Sequence, residues 1–136
     1  MCEILVMIKT DNKPILKDQL ERFLKRGLIA GAKNPHGWGV YSEKWSMKNI
    51  NKFNDSDVKH VLKNYNNDSR FFALHVRFAT CEIKKEFTHP FQNERFMLSH
   101  NGVIHVPNEK SGSDSLDLFN ALHKAFKTDY ARALEN

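Results

Sequence analysis

An apolar run, Glu3–Ile8 (EILVMI), begins two residues from the start of the chain. A run of this length without a turn former suits a buried strand, so the sheet starts almost at the N-terminus. Beyond it, helical and strand-like segments are mixed. After Pro14, which can take the first position of a helix, Ile15, Leu16, Leu20, Phe23 and Leu24 mark one helical face. Lys25, Arg26 and Gly27 supply a stop. Asn34–Gly39 (NPHGWG) is turn-forming and leads into a strand over Trp38–Ser42. Asp55 or Ser56 can cap a second helix with Val58, Val61, Leu62 and Tyr65 inward, ended by the polar stretch Asn66–Ser69. Phe71–Ala79 reads as a central strand, and Arg95–His100 and Val103–Val106 as two strands joined by a tight Asn101-Gly102 turn. A loop over Pro107–Ser113 leads to a last helix that starts at Ser113 or Asp114 and runs along Leu116, Phe119, Leu122 and Phe126. Mixed elements with an antiparallel hairpin give an α+β fold, in one domain over residues 1–136.

Composition removes several classes of function. No apolar stretch approaches the ~20 residues of a membrane span, and the first thirteen residues lack the basic flank and cleavage site of a secretory signal. Two cysteines cannot make a disulfide framework, so a cytoplasmic setting is expected. A net charge of +5 invites a nucleic-acid partner, but the lysines are interleaved with acids and form no basic run, which argues against one. His75, His89, His100 and His105 have no metal-ligand spacing, so no metal is expected.

The candidates for chemistry each have a bland counterpart. If Met1 is removed, Cys2 carries a thiol and a free α-amine. In model peptides these titrate at about 8.5 and about 8, so the amine can take the thiol proton without a partner histidine. The counterpart is a small apolar residue opening a buried strand. Asn101-Gly102 is a hairpin signal, and equally a side-chain amide and a backbone N–H able to hold an oxyanion. Arg77, in an apolar strand, either reaches solvent, meets a carboxylate, or grips a substrate carboxylate through its planar fork. Asp114 either complements a helix N-terminus or holds a substrate ammonium. Gly37 and Gly39 either shape a turn or admit a ligand to the backbone. Nothing local singles out Cys81.

Taken in order, Met1-Cys2, HGWG at His36–Gly39, HVRFAT at His75–Thr80, HPF at His89–Phe91, SHNGVI at Ser99–Ile104 and SDS at Ser113–Ser115 resemble the glutaminase domain of the class II glutamine amidotransferases. The resemblance implies an N-terminal-nucleophile hydrolase, a four-layer αββα sandwich, here in a short form ending after the first half to two-thirds of the domain. It implies that Cys2 attacks the side-chain amide of glutamine, that Asn101 and Gly102 form the oxyanion hole, and that a γ-glutamyl thioester yields glutamate and ammonia. Arg77 would hold the α-carboxylate and Asp114 the α-ammonium, with Phe78, Thr80 and His89 lining the pocket. No cofactor is implied. The partners implied are glutamine or a γ-glutamyl amide, and an ammonia-accepting synthase subunit or a second copy completing the fold. Leu116 stands where the family has an acidic residue.

Overall fold

The computed structural model describes residues 1–106 and 110–135, with side chains described as far as residue 127. Four antiparallel strands form the main sheet: β1 (Glu3–Ile8), β2 (Trp38–Tyr41), β3 (Ser46–Asn49) and β4 (Phe71–Val76), in the order β1-β4-β2-β3. Helices α1 (Lys17–Lys33) and α2 (Asp55–Asn64) pack on one face. The alternation along the strands explains the layering, because successive side chains point to opposite faces. Trp38, Val40, Phe72, Leu74 and Val76 meet Leu20, Phe23, Leu24, Val58 and Val61 of the helices in a single buried cluster. Tyr65 closes its lower edge, its hydroxyl donating to the Ile15 carbonyl at 2.6 Å. The fold is therefore α+β with antiparallel pairing, as the mixed pattern implies.

On the opposite face, a strap that carries much of the site lies over β2, β3 and β4. A 3-10 turn at Lys85–Phe87 leads through Thr88, His89 and Pro90 into β5 (Phe91–Gln92), which pairs with β6 (Met97–Leu98). Lys48 Nζ of β3 donates to the carbonyls of Thr88 and Pro90 at 2.7 and 3.1 Å. Gly39 lets the strap lie this close, since a Cβ there would overlap the His89 carbonyl. The last helix, α3 (Asp114–Glu135), packs Phe119 against Phe91 and Phe96.

Local signals misplace several boundaries. α1 begins at Lys17 rather than beside Pro14, with the Leu16 N–H donating to Gln19 Oε1 at 2.9 Å. It does not stop at Gly27, which lies inside it against Leu74 and Phe53. Asn54, one residue before the expected pair, caps α2 by accepting from the Asp57 N–H at 3.0 Å. β4 ends at Val76, three residues short of the expected strand end at Ala79. The hairpin across Asn101-Gly102 does not form. Residues 103–106 are not a strand, and β6 pairs with β5 instead. A type I′ turn needs positive φ at both central residues; Gly102 has φ +134°, but Asn101 is not at positive φ. Residues 107–109 of the expected Pro107–Ser113 loop lie outside the described residues.

Candidate active site

The eight candidate residues come from five separate parts of the chain, and all of them border one cavity of about 200 Å³. Cys2 stands just before β1, and Arg77, Phe78 and Thr80 follow the end of β4. Because β1 and β4 are neighbours, with Glu3 opposite Val76, pairing of the two strands brings Cys2 and Phe78 together. The Phe78 N–H donates to Cys2 Sγ at 3.2 Å. Asn101 reaches in from the segment after β6, and its Nδ2 donates to the Cys2 carbonyl at 2.8 Å. Gly102 extends the same rim.

The segment that faces the cysteine is itself held. His36 donates its N–H to the Arg77 carbonyl at 2.9 Å, and the Arg77 N–H donates to the Gly37 carbonyl at 2.8 Å. The Ala79 N–H donates to His36 Nδ1 at 2.9 Å, and the imidazole packs on the Phe78 ring. The HGWG turn thus fixes the chain at residues 77–79. Gly37 permits this with φ +127°, in a region where a Cβ is strained.

Arg77 is only 4% exposed and makes no ion pair among the described residues. It therefore meets neither solvent nor a carboxylate. Nη2 donates instead to Cys81 Sγ at 3.2 Å and to the Glu82 carbonyl at 3.0 Å. Nη1 is buried without a partner among the described residues. An unpaired buried guanidinium N–H is costly, and a ligand anion would satisfy it.

Beneath the cavity the His75 and His89 rings stack, 4.0 Å between centroids. Burial first, with the Arg77 and His100 charges adding, pushes His75 down to about 4, and neither of its ring nitrogens has a hydrogen-bond partner among the described residues. Burial also dominates at His89, helped by His75, Arg77, His100 and Lys48, and takes it down to about 2. Both imidazoles are neutral at physiological pH. The His100 N–H donates to His89 Nδ1 at 3.0 Å, which leaves the His89 proton on Nε2. The His100 ring in turn lies 3.0 Å from Ser115 Oγ.

Asp114 opens α3, and its carboxylate accepts from the Ile104 N–H at 2.9 Å and the Ser115 N–H at 2.8 Å. These bonds join the helix start to the chain after Gly102 while the carboxylate borders the cavity. Among the described residues, no three His, Cys, Asp or Glu side chains converge as metal ligands would.

A family model described as glutamine amidotransferases class-II matches residues 1–119. The chain belongs to the class II glutamine amidotransferases. Neither the curated proteins nor the solved structures give a significant match. In this glutamine amidotransferase domain Cys2, next to the N-terminus, lines the cavity just described. No helix among its described residues is long and apolar enough to cross a membrane.

Two features of the site were not foreseen from the sequence of this amidotransferase. Cys81 touches Arg77, a contact without a local signal because it depends on how the chain folds back after β4. His36 clamps residues 77–79; its HGWG motif is legible, but the partner lies 43 residues away.

Proposed function

We propose that this domain hydrolyses the side-chain amide of glutamine through a γ-glutamyl thioester on Cys2. The observation that carries the reading is the pairing, in one cavity, of the Cys2 thiol with a buried guanidinium whose Nη1 lacks a partner among the described residues. The cavity's about 200 Å³ falls below the ~300–1,000 Å³ of sites for drug-sized ligands, and suits a single amino acid.

In this reading Met1, which borders the cavity, is removed first and frees the Cys2 amine. Arg77 Nη1 receives the α-carboxylate and Asp114 the α-ammonium, which extends the substrate amide toward Cys2. The sulfur attacks the amide carbon while the thiol proton passes to the α-amine. The oxyanion is held by Asn101 Nδ2, which has a second hydrogen beyond the one on the Cys2 carbonyl, and by the Gly102 N–H. The tetrahedral adduct collapses, and the carbon–nitrogen bond breaks as nitrogen takes the proton and leaves as ammonia. Water then attacks the thioester, releasing glutamate and restoring the thiol. Phe78, Thr80 and neutral His89 line the pocket, and the Phe78 N–H keeps the sulfur turned toward it.

Ile4, Val6 and Ile8 are exposed on the face of β1 away from the helices, which suits the second sheet of an αββα sandwich, supplied by further chain, a synthase subunit or a second copy. The ammonia acceptor would be that partner, and the setting a reducing cytoplasm. A second substrate class, γ-glutamyl amides with an apolar amine, is favoured by the exposed side chains of Phe78 and Val103 at the rim.

The test is intact mass before and after treatment with 6-diazo-5-oxo-L-norleucine. Loss of Met1 and one adduct on Cys2 are expected. A processed chain that takes no adduct overturns the proposal and leaves a binding scaffold.

A further inference from the structure

Cys81 lies four residues beyond Arg77, borders the same cavity as Cys2, and has no part in the reaction described above. Its sulfur and the Glu82 carbonyl both accept from a single guanidinium nitrogen, Nη2, at 3.2 and 3.0 Å. The other terminal nitrogen, Nη1, is left buried and without a partner among the described residues. A guanidinium is a rigid planar fork, so fixing one prong fixes the direction of the other. We propose that Cys81 is a positioning residue for substrate recognition. Together with the Glu82 carbonyl, it anchors Nη2 and so fixes the plane of the guanidinium, which leaves Nη1 for the α-carboxylate of the ligand.

The inference rests on the glutaminase reading, because it takes the ligand of Arg77 to be the carboxylate of the glutamyl group. It adds a division within one side chain, with Nη2 committed to the protein and Nη1 to the ligand. Sulfur is a weak acceptor, so its contact holds Nη2 in place with little competition for the incoming anion. A carboxylate at position 81 would compete for the guanidinium with the substrate.

A role of this kind acts on binding and spares the bond-breaking step. Cys81→Ala and Cys81→Ser are compared with the parent chain on glutamine and on 4-aminobutanamide, which has the same amide and amine but no carboxylate. The expected result for Cys81→Ala is a KM for glutamine raised about tenfold, the scale of one charge-assisted contact, with kcat held within about twofold. Cys81→Ser, which keeps an acceptor, recovers most of the loss. kcat/KM for 4-aminobutanamide is the same in all three chains. In parallel, glutamate binding to Cys2→Ala and to Cys2→Ala/Cys81→Ala is measured by calorimetry, with the same tenfold difference expected.

An unchanged KM and unchanged glutamate affinity in folded Cys81→Ala overturn the positioning role alone. Equal losses on both amides also overturn it, because they assign Cys81 a general structural part. A parent chain that neither hydrolyses glutamine nor, as Cys2→Ala, binds glutamate overturns the glutaminase reading and this inference together.

Discussion

The backbone N–H of Phe78 lies 3.2 Å from the sulfur of Cys2, although 76 residues separate them in the chain. Pairing of β1 with β4 creates this contact, so the cysteine is positioned by the sheet itself. On the proposed mechanism the sulfur is the nucleophile and is not needed for the fold. Cys2→Ala therefore keeps its melting temperature and its glutamate binding but loses glutamine hydrolysis to background. Activity that persists in the folded variant would assign the nucleophile elsewhere.

Asn101 is exposed, and its amide donates to the Cys2 carbonyl. Asn101→Asp would set a carboxylate against that carbonyl and against the proposed oxyanion. A surface change of this kind shifts stability by about 1 kcal/mol or less, whereas loss of an oxyanion donor lowers kcat by about 10²–10³. Near-parental kcat, measured beside a thermal melt, would remove Asn101 from the oxyanion role.

His75 and His89 are both held neutral well below the ordinary histidine range. In the unfolded chain they take up protons near pH 6.5, so the unfolded state binds more protons than the folded one below that pH. Stability is fully present above about pH 6.5 and declines as the pH falls toward 4. Each histidine contributes at most about 1.4 kcal/mol per pH unit in that window. Melting temperature should drop between pH 7 and pH 5, and a flat profile would contradict the burial of this pair.

Gly27 faces the sheet from the middle of α1, where a Cβ would overlap Leu74 Cδ2 and press on Phe53. At an exposed helical site, alanine for glycine stabilises by about 1 kcal/mol through propensity. Here Leu74 and Phe53 are fully buried, and overpacking of such a core costs about 1–3 kcal/mol. The net sign is destabilising. Chemical denaturation of Gly27→Ala checks it, and a stabilised variant would show that Leu74 can rotate away.

Much of this architecture was legible in the sequence because side-chain periodicity follows burial. EILVMI became β1, although as an edge strand with Ile4, Val6 and Ile8 exposed rather than a buried one, and the inward residues of both helices match the apolar spacing except Leu16, which is exposed. Legibility failed where a distant neighbour outweighed a local preference. Gly27 looked like a helix stop until Leu74 and Phe53 supplied a reason for glycine inside the helix. Asn101-Gly102 looked like a hairpin turn, but the Asn101 side chain is taken by Cys2 and the preceding strand is paired with β5. The candidate site residues were legible as motifs in order along the chain. The anchoring of Arg77 by Cys81 was not, since it arises from a fold-back after β4.

The near-contact between β2 and the strap at Gly39 has an evolutionary corollary. Position 39 and the main chain at 89–90 share one space, so neither can change shape independently. A relative bearing any side chain at position 39 must carry a rebuilt strap, and with it a relocated His89 and a reshaped binding pocket. Substrate preference in this group can therefore shift through an ordinary strand residue that never meets the substrate, and the two segments should be inherited, or transplanted, as a single block.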